Sequence, residues 1–241
     1  MDIKSQRLCA WSGPVCVVLF LTGFGLVAGF IPPPAPGASA HEIGQLYRAD
    51  QTRILVGMII SMFGAAFTGP WVVAMTMQLK RIEDGLKSMT LLQFASGAVV
   101  VLEFEMCVMF WQVAAFRADR SDESIQLLND LAFIPFIGLA STGIVQCFAT
   151  AAVILRDRRD QPILPRWSAY YNIFVGLCFV PGAYNALFHS GPIAWNGVFS
   201  WYVAMAAFMS WYLVNAYVIL TALRAQEQQE PLPGVPARSG A

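Results

Sequence analysis

The sequence predicts an all-α, polytopic transmembrane bundle of about six spanning helices with both chain ends in the cytoplasm. Three observations carry this expectation. Hydrophobic residues make up 57% of the 241 residues and charged ones only 12%, about half the charged share of a soluble domain. The uncharged residues gather into runs close to the roughly 20 residues a helix needs to cross a bilayer. The basic residues divide unevenly between the two alternating sets of loops.

The apolar segments fall at residues 12–31, 54–79, 89–116, 131–155, 168–188 and 195–222. The first follows Lys4 and Arg7 and is closed by Pro32, Pro33, Pro34 and Pro36. With Ala38-Ser39-Ala40 behind it, this stretch also has the outline of a signal peptide. The run is long for the apolar part of a signal, and the prolines separate it from the small-residue triplet, so an uncleaved first span is expected. Ser39 and Glu42 have capping-box spacing and predict a short helix from about His41 to Asp50 that feeds the second span.

The second segment carries Ser61, Gly64, Ala65 and Thr68 on one stripe, a pattern that lets helices approach closely in lipid. Between the third and fourth segments, Ser121 is a suitable N-cap, with Asp122 and Glu123 placed well for the helix dipole. The fourth segment repeats the small-residue pattern with Gly138, Thr142 and Gln146. Pro70, Pro135 and Pro181 predict bends. The pair Pro181-Gly182 in the fifth segment would free carbonyls toward a cavity. Residues 1–225 read as one transmembrane domain, and the Gln-, Glu-, Pro- and Gly-rich tail 226–241 as disordered and cytoplasmic.

Orientation follows from the fifteen lysines and arginines. Eleven fall on one side: Lys4, Arg7, Lys80, Arg81, Lys87, Arg156, Arg158, Arg159, Arg166, Arg224 and Arg238. Four fall on the other: Arg48, Arg53, Arg117 and Arg120. The richer side is expected in the cytoplasm, and a bacterial inner membrane is the expected location. Trp11, Trp71, Trp111, Trp167 and Trp195 stand near segment ends, where amphipathic rings suit the membrane interface, while Trp201 and Trp211 are expected to pack inside. Tyr170, Tyr171 and Asn172 are likewise expected at the interface.

Several function classes are excluded or lose support. The net charge is zero, which gives no electrostatic case for nucleic acid. The five cysteines form no C-x-x-C pair and read as small core residues. All three lysines lie at segment ends or in loops, which removes a retinal Schiff base within the bundle. No P-loop, H-E-x-x-H, G-x-S-x-G or G-x-G-x-x-G stands in suitable context. No motif names a cofactor, and no metal site is expected, with His41 and His189 as an outlying pair on the sparsely basic side.

The sharpest functional signal is the pair Glu103 and Glu105 in the third segment, with Glu103 near its centre. An ionised carboxylate at that depth is costly and functional by default. Residues two apart on a helix point roughly 200° from each other, so the pair is not a ready-made dyad. If both avoid lipid, the third helix should be the one most surrounded by protein. The leading expectation is a membrane protein that binds, and converts or moves, an apolar small molecule such as a lipid, terpenoid or sterol-like compound. Glu103 and Glu105 would be its acids, with Gln146, Tyr184 and Asn185 as polar lining. In an enzyme, protonation or isomerisation is the chemistry such an acid allows. The alternatives are an accessory subunit with protein partners in a larger membrane complex, and a proton-coupled transporter.

Overall fold

The computed structural model describes residues 3–138 and 140–229, which are helical with no strand. The final residues of the tail, Arg238 among them, lie outside the described residues. Among the described residues, five helical stretches are long and apolar enough to cross a bilayer: Ile3–Val27, Gln51–Glu83, Ser88–Phe116, Asp122–Arg156 and Val198–Gln228. The protein is therefore a multi-pass membrane protein by helix length and composition.

Most of these stretches are interrupted, and the causes are visible in the chain. The first is α1 (Ile3–Phe20), which widens into a π-helix over Leu21–Val27. It stops before Gly29, whose φ of +74° suits a residue without a side chain. After the prolines, α2 (Ala40–Ala49) opens on the expected capping box. Ser39 N and Oγ donate to Glu42 Oε2 at 2.7 and 2.8 Å, and Glu42 N donates to Ser39 Oγ. The second long stretch is α3 (Gln51–Ala66) and α4 (Thr68–Glu83), which meet at Phe67 just before Pro70. Pro70 has no N–H to donate to the turn before it, and at the same junction Thr68 Oγ1 donates to the Ala65 carbonyl at 2.6 Å.

α5 (Ser88–Phe116) is an unbroken α-helix of 29 residues. α6 (Asp122–Gly138) and α7 (Ala140–Arg156) continue one another on either side of residue 139, and α6 starts on the expected Ser121 cap, with Ser124 N donating to Ser121 Oγ. The fifth segment departs from expectation. It is α-helical only in α8 (Arg166–Phe179) and tightens to a 3₁₀ helix over Val180–Leu187 at Pro181-Gly182. The last stretch begins as a π-helix, Val198–Val203, and becomes α9 (Ala204–Gln229), so residues 226–229 extend the helix and are not yet tail.

Two layers of packing hold the bundle. Near one end, Phe20, Phe24, Phe30, Trp111, Phe133 and Trp195 form a continuous aromatic cluster, with ring centroids from 4.8 Å (Trp111–Phe133) to 6.4 Å (Phe24–Phe133) apart. Trp71, Trp211 and Tyr212 make a second group deeper in the bundle. Trp71, Trp111 and Trp195 are thus buried core residues and not interface anchors, whereas Trp11 and Trp167 are exposed. Proximity to a segment end along the chain did not translate into exposure, because the rings pack on other aromatic side chains, Trp71 on Trp211 and Tyr212, and Trp111 and Trp195 on Phe133. Asn172 is also buried. It accepts from Trp211 Nε1 at 2.7 Å and donates to Asn215 Oδ1 at 3.1 Å, joining α8 to α9.

Outside the aromatic layer, α2 lies on α6. Arg48 reaches the carbonyls of Ala118 and Arg120 at 3.0 Å each and pairs with Asp122. At the opposite, basic end, the buried Asp157 accepts from Ile163 N at 2.9 Å and Arg159 Nη1 at 3.2 Å, while Arg159 Nη2 donates to the Arg81 carbonyl.

Candidate functional site

Glu103 stands fifteen residues into the 29-residue α5, roughly 22 Å from its start at 1.5 Å per residue. Its carboxylate is half-buried, and Thr142 Oγ1 of α7 donates to Oε2 at 2.7 Å. Thr142 belongs to the stripe Gly138, Thr142, Gln146, whose spacing predicts a close helix contact with modest hydrogen bonds across it. The hydroxyl was legible as a possible donor, but only the packing of α7 on α5 makes Glu103 its acceptor.

The carboxylate lines a cleft with about 690 Å³ of atom-free space, its open mouth included. The walls are apolar and aromatic, with Phe104, Phe136, Phe179 and Phe208 around the Glu103 side chain, and Ser200 and Cys107 as the other polar contributors. Ser200 Oγ is already committed to the Ile193 carbonyl at 2.6 Å. Val100, Phe136, Ala140 and Met205 are only partly buried, so the cleft is open on one side.

The irregular helices explain why space survives there. The cleft touches Pro135 and Ile137 at the close of α6, Phe179 where α8 turns into the 3₁₀ segment, and Ser200 within the π-helix before α9. Two chain segments change helical form beside one carboxylate. Non-α backbone at membrane depth is tolerated where protein buries it or a cavity receives it.

The other sequence-derived candidates lie elsewhere. Asn185 is buried behind the wall, where its Nδ2 donates to Gly182 O at 2.8 Å and Ile134 O at 3.2 Å, holding the 3₁₀ segment against α6. Tyr184 is exposed and outside the lining. Gln146 is buried at the junction of α4, α5 and α7, where a Cβ on Gly97 would meet its Nε2 at 2.6 Å. Phe104, Phe136, Phe179 and Phe208 had given no individual signal, being four among 17 phenylalanines.

Glu105 is half-buried and makes no hydrogen bond or ion pair among the described residues. The expectation that α5 is the helix most surrounded by protein is overturned. Only 33% of its most apolar window is buried, the lowest share of the five long stretches. Ala95, Val99, Leu102, Met106, Met109 and Val113 form one exposed stripe. Relative to Leu102, Glu105 lies about 60° to one side and Glu103 about 100° to the other, at 100° per residue. The two acids flank an apolar face, and this resolves their opposed directions without enclosing the helix.

His41 Nδ1 is 3.1 Å from Asp122 Oδ2 and its Nε2 is 2.9 Å from Gln45 Nε2, so the ring belongs to the contact of α2 with α6. Among the described residues no three His, Cys, Asp or Glu side chains gather closely enough to hold a metal, and His189 is exposed. No family model matches the chain, and no curated protein and no solved structure is similar to it.

Proposed function

We propose that the protein is a six-span membrane protein with both ends in the cytoplasm, and that its cleft binds an apolar small molecule by a polar end at Glu103. The observation that carries this reading is a carboxylate at mid-helix in a cleft otherwise walled by aromatic and aliphatic side chains. The sixth span would be the composite of α8 and the 3₁₀ segment, 22 residues over Arg166–Leu187. The gathering of Lys80, Arg81, Arg156, Arg158, Arg159 and Arg166 at one end of the bundle supports the orientation.

Thr142 occupies Oε2 and leaves Oε1 to accept a bond, so the favoured ligand end is a donor, a hydroxyl or an amine. A sterol, terpenoid alcohol or long-chain lipid has that form, with a body suited to the phenylalanine walls. Pockets of this kind gain affinity from apolar area and orientation from one or two polar groups.

A long-chain alcohol bearing a photoreactive diazirine, added to the protein in lipid nanodiscs, tests the reading. Labelling is expected to concentrate on Phe104, Phe136 and Phe208 and to fall in Glu103→Gln. Labelling spread evenly over Leu102, Met106 and the other lipid-facing positions would sink it.

One observation favours a second reading, an accessory subunit of a membrane complex: Glu105 lacks a partner beside the exposed stripe of α5. A photo-crosslinking residue at Met106 should then capture one protein partner in native membranes. Capture of lipid alone, from protein that purifies as a monomer, would remove this alternative.

A further inference from the structure

A second polar feature runs between the basic end of the bundle and Glu103. On α5, Thr90, Gln93, Ser96 and Gly97 recur at the three- and four-residue steps of one helix face, and Glu103 follows seven residues, about two turns, after Ser96. At the basic end, Thr90 Oγ1 donates to Glu83 Oε2 at 2.7 Å, and Arg156 Nη1 stands 3.6 Å from Glu83 Oε1. One turn further in, Thr76 Oγ1 of α4 donates to Gln93 Oε1 at 2.8 Å. Next comes Gln146 from α7, against Gly97, and then Thr142 with its bond to Glu103.

Three atoms in the middle of this file have no protein partner among the described residues: Gln93 Nε2, Gln146 Nε2 and Gln146 Oε1. Both side chains are fully buried, at 0% and 1% exposure. A buried amide left unbonded loses what a hydrogen bond would return, and in a membrane the surrounding lipid offers none. Two such amides at one three-helix junction call for a common partner. Gln93 and Gly97 are about 6 Å apart along the α5 axis at 1.5 Å per residue, and one water accepting from one amide and donating to another spans roughly 5–6 Å.

We propose that water occupies the junction of α4, α5 and α7 and forms a hydrogen-bonded file from Glu83 at the basic end to the Glu103 carboxylate. The file passes Thr90, Gln93, Gln146 and Thr142. A proton entering from the aqueous side moves by exchange along it. Each water gives up one O–H bond as it gains another, and the net change is one proton taken from solution onto Glu103 and one charge removed from the cleft. The glutamines and threonines orient the waters and do not themselves change protonation. The charged groups facing the entrance are Glu83, Arg156 and Arg81, and Glu103 is the acid at the far end, with Cys107 one turn beyond it. This inference shares Glu103 with the proposed ligand cleft but does not require a ligand.

Two measurements on the full chain in liposomes test it. Water-edited solid-state NMR with ¹⁵N-glutamine should show magnetisation passing from water to the side-chain amides of Gln93 and Gln146, assigned by Gln93→Leu and Gln146→Leu. Infrared spectroscopy after transfer to D₂O, at a pH low enough to protonate Glu103, should show its carboxyl band, assigned by Glu103→Gln, exchanging about tenfold more slowly in Gln146→Leu, as expected when one bonding station is removed. Dry amides in the unaltered protein overturn the proposal whether or not the variants fold. Unchanged exchange in both leucine variants also overturns it, because the proton would then reach Glu103 through the cleft. Neither result bears on photolabelling of the cleft, so the two readings fail separately.

Discussion

Gly57→Ala probes a close backbone contact between two helices of the bundle. Gly57 of α3 faces Gly23 in the π-helical close of the first helix, and a methyl there would meet the Gly23 carbonyl, Ala28 N at 2.6 Å and Ala28 Cβ at 2.7 Å. Carbon atoms in contact rest roughly 3.5–4.0 Å apart, so the overlap is about 1 Å. Two of the three neighbours are backbone, which cannot rotate aside as the end of a side chain can. The first helix must therefore move off α3, taking Phe20 and Phe24 out of the aromatic cluster. Helix propensity favours alanine over glycine by about 1 kcal/mol, whereas overpacking costs about 1–3 kcal/mol and more where backbone must shift. A net loss of roughly 2 kcal/mol is expected. SDS titration of the protein in mixed micelles, followed by helical circular dichroism, measures it. Gly143→Ala is the control, since its Cβ would meet Phe179 at an ordinary 3.5 Å. Equal midpoints for Gly57→Ala and the unaltered protein would refute the reasoning.

Other outcomes follow from the same contacts. Thr142→Val keeps the shape of the side chain but removes the donor to Glu103, and should cost about 1–3 kcal/mol in the same titration; in Glu103→Leu the same substitution should cost less, a coupling that a double-mutant cycle reads directly. Arg48→Lys should loosen α2 from α6, because an ammonium cannot serve the carbonyls of Ala118 and Arg120 together with Asp122, and amide exchange across residues 117–122 should quicken. Glu42 is held below the usual carboxylate range, first by the Ser39 backbone N–H and then by the Ser39 hydroxyl. Its contribution to the α2 cap is complete above the ordinary glutamate pKa and is lost as pH falls through the depressed folded value. Exchange protection of the Ser39 amide should therefore fade in acid, and should be absent at every pH in Glu42→Ala.

What could be read from the sequence was local. The apolar runs located the long helices, although the first begins at Ile3 and not near residue 12, because the polar turn with Lys4 and Arg7 continues the same helix. Ser39 with Glu42, and Ser121 before Asp122, announced helix starts because capping depends on neighbours in the chain. Pro70 and Pro181-Gly182 marked real breaks. The π-helical stretches Leu21–Val27 and Val198–Val203 contain no proline and gave no signal. The cleft depends on which helices meet: Thr142 reaches Glu103 across 39 positions, and the phenylalanines around it come from four segments. The exposure of α5 was misjudged for a related reason, since two acids on nearly opposite faces leave a free stripe between them.

The central claim is that the Glu103 cleft holds an apolar molecule. Native mass spectrometry of the protein in nanodiscs drawn from the membranes that produce it tests this most directly, compared with Ala204→Phe, which fills the cleft, and Glu103→Gln, which removes its charge. The account predicts one retained small molecule on the unaltered protein, absent from Ala204→Phe and depleted in Glu103→Gln. Equal occupancy in all three forms, or no bound molecule in any, would contradict it.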